Sequence, residues 1–218
     1  LLANRHRQKG LTARDVALGE GCSYLSLDYT AHGESGGKST DFTIGQGIED
    51  TLDVIQETIP NIPLIIIGNS VGGWIGLWVA ERLKQTVGFI GLAPAPDITG
   101  WVWDKMLPDV AKVALEQGKT LGPSEETYGF CFTKQLFEDG KKHFMLNRSI
   151  EFSGPVRILW GDQDDRIEKS RITAIKDRLT SGDVAITLIK GADHHLSRKS
   201  DLKMLADVLK TMIKDRQR

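Results

Sequence analysis

The chain has 218 residues, enough for one well-buried core and a lid-like insertion without a second independent domain. Its formal net charge of -1, with 40% hydrophobic and 26% charged residues, argues against extensive disorder and predicts no nucleic-acid or anionic-membrane partner. Cys22 and Cys131 lie far apart and match no metal spacing, so a reduced intracellular chain is expected rather than a disulfide scaffold. No apolar run approaches the length of a membrane span, and nothing in the sequence asks for a metal or other cofactor.

Along the chain, the basic run Arg5-His6-Arg7-Gln8-Lys9 and the basic C-terminus adjoin acidic or apolar segments, and both read as solvated surface. Cys22 to Tyr29 is the first run with strand character, and Cys22 at its start has a packing role. Gly33 to Gly37 is a turn-rich loop. Ile44, Ile48, Leu52, Ile55 and Ile59 then recur at helical spacing with acidic residues between them, until Pro60 stops the helix. Pro63 to Gly68, Val87 to Ala93, Pro155 to Gly161 and Val184 to Ile189 are short apolar runs that read as buried parallel strands. Trp74 to Leu83 is apolar nearly all round, as in a helix packed on a sheet, and Leu202, Leu205, Val208, Leu209 and Ile213 mark a final amphipathic helix.

This alternation predicts an α/β fold with right-handed crossovers. It breaks over 97–150, which has no clear buried strand but carries Trp101, Trp103, Met106, Tyr128, Phe130, Phe132 and Phe137. The expected organisation is a single domain, with core segments 1–96 and 151–218 and an aromatic cap insertion over 97–150.

Gly68-Asn69-Ser70-Val71-Gly72 lies between a strand and a helix, the setting that a nucleophile elbow requires. Such a turn lifts Ser70 to the carboxyl edge of the sheet, although a serine there is often only a helix cap. A serine hydroxyl needs a base within reach and a third group to orient that base. The strand ending at Gly161 runs into the acidic loop Asp162-Gln163-Asp164-Asp165, and the strand ending at Ile189 leads to His194 and His195. Both arrive at the edge where open α/β sheets place their chemistry. The order Ser, Asp, His is that of an α/β-hydrolase, with one carboxylate and one histidine to be selected from these neighbours.

The chain resembles the α/β-hydrolase fold in these motifs. It also carries Asp28-Tyr29-Thr30-Ala31-His32-Gly33-Glu34-Ser35, which follows the D-x-x-G-x-G-x-S pattern with Ala31 in place of the first glycine. Within that family it is similar to the branch of abhydrolase domain-containing protein 10 and its bacterial relatives. The shared segments are Gly68 to Trp74, Ala93 to Asp97, Gly154 to Ile167 and Lys190 to Arg198. The resemblance implies Ser70 as nucleophile, Asp164 as orienting acid and His194 as general base. Asp162 and Asp165 become surface or loop-shaping carboxylates, and His32 a structural loop histidine. It places one oxyanion donor at the Val71 amide and the second near Leu1, where the loop after the third strand of the fold would fall. On that count the N-terminal strands of the fold are missing.

The expected chemistry is hydrolysis of a carboxylic ester or thioester through an acyl-enzyme. The family branch implies palmitoyl-protein thioesterase or acyl-glucuronide esterase activity, with an S-acylated protein as one substrate and the aromatic cap covering an acyl chain. The alternatives are a general carboxylesterase or lipase-like hydrolase, and a binding protein that keeps the fold without turnover. The compartment is cytoplasmic or, by resemblance, mitochondrial, and the sequence leaves the oligomeric state open.

Overall fold

The computed structural model describes residues 2–124, 126–127 and 129–217, with side chains from residue 8 on. Four strands, β1 (Leu64–Asn69), β2 (Thr86–Leu92), β3 (Val156–Gly161) and β4 (Val184–Ile189), form one sheet in the order β1-β2-β3-β4. Every neighbouring pair is parallel. The helices are α1 (Leu2–Gly19), α2 (Ile44–Thr58), α3 (Val71–Arg82), α4 (Ile98–Trp101), α5 (Asp109–Glu116), α6 (Lys134–Lys142), α7 (Lys169–Arg178) and α8 (Lys199–Gln217). A π-helical turn, Val102–Met106, follows α4.

The chain divides into two compact units, the first made of residues up to 26, 63–95 and from 150 on. Alternation along its strands sorts side chains to opposite faces of the sheet. On one face Ile90 and Leu92 of β2 join Ala13 and Val16 of α1 and Leu205, Leu209, Met212 and Ile213 of α8 in a continuous buried cluster. Phe89 lies on the other face, where Gly76 brings α3 close to it and to Ile66. Cys22 and Tyr24 pack against the first cluster, so Cys22 takes the packing role expected of it.

The expected strand over Cys22 to Tyr29 does not form. No strand pairing involves it among the described residues, and the boundary between the two units falls within it, after Ser26. Extended residues become a strand only when a neighbouring backbone takes their N–H and C=O groups. β1, the strand this segment would flank, pairs with β2 alone among the described strands. α1 was not anticipated from the sequence, because its basic start masks the buried stripe formed by Ala13, Val16 and Ala17.

The second unit comprises residues 27–62 and 96–149, so the segment expected as a cap shares its compact unit with α2. Thr43 caps α2 by accepting from the Gln46 amide at 3.1 Å, and Asp139 of α6 accepts from the Gly45 amide at 2.7 Å. Asp97 receives the amides of Met145 and Leu146 at 2.8 and 3.0 Å, which ties together the two ends of the 97–146 segment. Phe42 stacks among Tyr29, His32 and Phe130, and Phe137 packs on Trp103 and Phe132. Tyr128, counted among the cap aromatics, lies outside the described residues.

The ends of β3 and β4 approach so closely that a Cβ on Gly161 would stand 2.2 Å from the Ala192 carbonyl oxygen. Gly182 has nothing within 4 Å of its Cβ position. Gly161→Ala is therefore expected to cost about 1–3 kcal/mol or more, whereas Gly182→Ala is neutral or slightly stabilising. Urea unfolding of the two variants measures the contrast.

Candidate active site

β1 ends at Asn69 and α3 begins at Val71, so Ser70 alone carries the chain from strand to helix. Its backbone sits at φ 52° and ψ -120°, a left-handed geometry that costs a non-glycine residue about 1–3 kcal/mol and persists only where its surroundings enforce it. Those surroundings come from the end of β2: the Ser70 amide donates to the Leu92 carbonyl at 2.9 Å, and the Ala95 amide donates to the Ser70 carbonyl at 3.0 Å. Gly68 is required for the same turn, since a Cβ there would lie 2.3 Å from the Gly72 carbonyl oxygen. Although Ser70 occupies the N-cap position of α3, its side chain makes no capping hydrogen bond. The hydroxyl instead lies 3.1 Å from His194 Nε2.

Asp164 follows β3 and is fully buried at its side chain. Oδ2 is 2.9 Å from His194 Nδ1, while Oδ1 accepts the backbone amides of Arg166 and Ile167 at 2.9 Å each. Burial pushes the carboxyl pKa up, but hydrogen bonding and charge from His194 and the two amides outweigh burial and leave it below the ordinary carboxylate value. An ionised Asp164 favours the imidazole tautomer with the proton on Nδ1. In that form Nδ1–H donates to Asp164 and Nε2 accepts from the Ser70 hydroxyl.

The loop after β4 that delivers His194 is held from several sides. The Gly191 amide donates to Asp162 Oδ1 at 2.6 Å, and Arg198 donates to the carbonyls of Gly191 and Lys190 at 2.6 and 3.0 Å. Asp201, buried at the start of α8, holds the same guanidinium at 2.7 Å. Asp162 is thus tied to the shape of this loop, Asp165 is exposed, and the His195 ring centroid lies 6.0 Å from that of His194. His32 belongs to the aromatic group of the second unit, with its Nδ1–H donating to the Thr30 carbonyl at 3.0 Å. Of the residues singled out from the sequence, Ser70, Asp164 and His194 are brought together.

Val71 is the first residue of α3, a position whose backbone N–H has no acceptor within the helix. Leu1 lies outside the described residues. Among the described residues no group of three or more His, Cys, Asp or Glu side chains is arranged to hold a metal ion.

Lys9 overturns one expectation. Rather than lying on a solvated surface it is buried, only 5% exposed, with Nζ donating to Asn69 Oδ1 at 2.8 Å and to the His195 carbonyl at 2.7 Å. The side chains of Arg5, His6 and Arg7 lie outside the described ones. The signal that would have revealed Lys9 is its spacing from Ala13, Val16 and Ala17, which puts it on the buried stripe of α1.

A family model described as the alpha/beta hydrolase family matches residues 10–207. The chain belongs to this family. Among hydrolase relatives, it is 28% identical over 218 residues to the mitochondrial palmitoyl-protein thioesterase ABHD10 of Bos taurus, covering 97% of this chain and 70% of that protein. Among solved structures, a hydrolase-like protein of Agrobacterium vitis S4 superposes with a TM-score of 0.87 at 31% identity, over 94% of this chain and 82% of the other. Alpha/beta hydrolase domain-containing protein 10 from mouse gives a TM-score of 0.83 at 28% identity, over 95% and 84%. The fold of this chain is therefore the α/β-hydrolase fold, with its parallel sheet and accompanying helices.

Because the Asp164 carboxyl titrates below its unfolded value of about 3.9, its ionised form contributes stability that is present above that pH. The contribution is lost as the pH falls through the lower folded value. The stability gap between the unmodified protein and Asp164→Asn is expected to be widest above about pH 5 and to narrow towards pH 3. Urea unfolding across that range measures it.

Proposed function

We propose that this chain hydrolyses a carboxylic ester or thioester through an acyl-enzyme on Ser70. The observation that carries the reading is the unbroken hydrogen-bonded line from Ser70 Oγ through His194 to Asp164, at 3.1 and 2.9 Å. Membership of a hydrolase family supports it.

In the proposed reaction Ser70 Oγ attacks the substrate carbonyl carbon as His194 Nε2 takes the hydroxyl proton. Asp164 stabilises the resulting imidazolium. Negative charge on the carbonyl oxygen of the tetrahedral intermediate is met by the Val71 amide, backed by the N-terminus of α3. Collapse of the intermediate breaks the bond to the alcohol or thiol, which leaves with the proton from His194. Water, activated by His194 in turn, then attacks the acyl carbon and frees the acid and Ser70.

The palmitoyl-protein thioesterase name carried by the mammalian relatives favours a long-chain acyl thioester, including an S-acylated protein, as the substrate to test first. The mitochondrial location in the names of the mammalian relatives makes an intracellular, mitochondrial or cytoplasmic, compartment part of the same proposal. No helix among the described residues is long and apolar enough to cross a membrane.

Ser70→Ala is expected to abolish both fluorophosphonate labelling and acyl-ester hydrolysis, and Asp164→Asn to lower kcat by about 10³- to 10⁴-fold. Relative kcat/KM for palmitoyl thioester, short-chain ester and acyl glucuronide ranks the substrate classes. A fully active Ser70→Ala protein would remove the nucleophile assignment, and a folded protein that neither labels nor turns over any of the three would point to binding without catalysis.

A further inference from the structure

Among the described residues Lys9 is a buried cation whose hydrogen bonds lead towards both Ser70 and His194. Lysine is seldom buried because its ammonium loses so much hydration, and an apolar side chain of the same length would fill such a slot at far lower cost. What the ammonium provides is donors. Its tetrahedral N–H groups reach two oxygens that belong to different loops, Asn69 Oδ1 at 2.8 Å and the His195 carbonyl at 2.7 Å.

Each oxygen belongs to a residue directly beside a triad member. Asn69 precedes Ser70, and its Nδ2 donates to the Leu92 carbonyl at 2.7 Å, the same oxygen that receives the Ser70 amide. Lys9 thereby sets which way the Asn69 carboxamide faces and links α1 to the strained turn through β2. On the other side, the His195 carbonyl follows immediately after His194, so fixing it restricts the backbone that aims the imidazole. Ser70 and His194 are 124 residues apart in sequence, and their 3.1 Å contact depends on independent loops being held in register.

We propose that Lys9 is a positioning residue for acyl transfer, holding the Ser70 turn and the His194 loop in mutual register through Asn69 and His195. The proposal rests on the assignment of Ser70 as nucleophile and His194 as base. It takes the N-terminal helix from a packing element to part of the apparatus that assembles the site. Loss of such a clamp lets the base drift from the nucleophile, and a misplacement of about 1 Å costs on the order of 10²-fold in rate.

The test compares Lys9→Met, which keeps length but not charge, with Lys9→Arg, which keeps cationic donors, in the whole protein. Lys9→Met is expected to lower kcat by about 10- to 100-fold with KM within about twofold, to slow fluorophosphonate labelling alike and to retain its circular-dichroism melting transition, while Lys9→Arg recovers part of the rate. Asn69→Ala cuts the same tie from the other end, and the double variant is expected to be no slower than the slower single. A folded Lys9→Met protein with kcat within about twofold of the unmodified chain overturns the proposal. If Lys9→Met fails to fold, Asn69→Ala decides by the same criterion.

Ser70→Ala separates this outcome from failure of the reaction assignment, because it leaves Lys9 in place. Should the unmodified chain prove inactive, the low-field proton resonance of His194 Nδ1–H, which reports the pairing with Asp164 without turnover, still judges Lys9. Its broadening in folded Lys9→Met or Asn69→Ala supports the clamp, and an unchanged resonance overturns it.

Discussion

The site depends on parallel strand pairing. Because β1, β2, β3 and β4 all run the same way, every strand delivers its carboxyl end to one edge of the sheet. Ser70 follows β1 directly and Asp164 and His194 lie in the loops after β3 and β4, so residues far apart in the chain emerge within hydrogen-bond reach of one another. One antiparallel neighbour would have sent its loop to the opposite edge.

At that edge the loops are held by backbone contacts as much as by side chains. The end of β2 contributes none of Ser70, Asp164 and His194, yet it accepts the Ser70 amide and returns the Ala95 amide to the Ser70 carbonyl. That double contact maintains an unfavourable positive φ at a residue with a side chain. The same economy operates between β3 and β4, where Gly161 allows the Ala192 backbone to approach and the Gln163 amide donates to the Ala192 carbonyl. Asp162 from the loop after β3, and Arg198 and Asp201 at the start of α8, then brace the histidine loop. Residues outside this group of three thus determine how far apart Ser70 Oγ and the His194 imidazole stand.

Much of this was legible in the sequence because the decisive signals are local. Four of the five expected strands formed, since each is a short apolar run with breakers on both sides, and α2 and α8 announced themselves by helical spacing. The order of strand ends brings Ser70, an acidic loop and a histidine pair to one edge, and the family resemblance singled out Asp164 and His194 among those neighbours. Cys22 to Tyr29 has the residues of a strand but no backbone partner within the described sheet, and partner availability is a property of the whole fold. Lys9 was hidden for a related reason: beside Arg5 and Arg7 it looks like surface charge, and only packing of α1 supplies the oxygens that make its burial tolerable.

Sequence by itself determined the α/β pattern and the strand-turn-helix around Ser70, which arise from residues within a few positions of one another, and the Ser, Asp, His order, which follows the succession of strand ends along the chain. Tertiary structure supplied the hydrogen-bond geometry that brings Asp164 and His194, the neighbours the resemblance had singled out, into line with Ser70. It also decided that a segment with strand composition joins no strand among the described residues and that a lysine from the first helix reaches the sheet edge. These outcomes turn on distances between segments brought together only by folding. Local propensity carries no information about which distant carbonyl or amide will be waiting there.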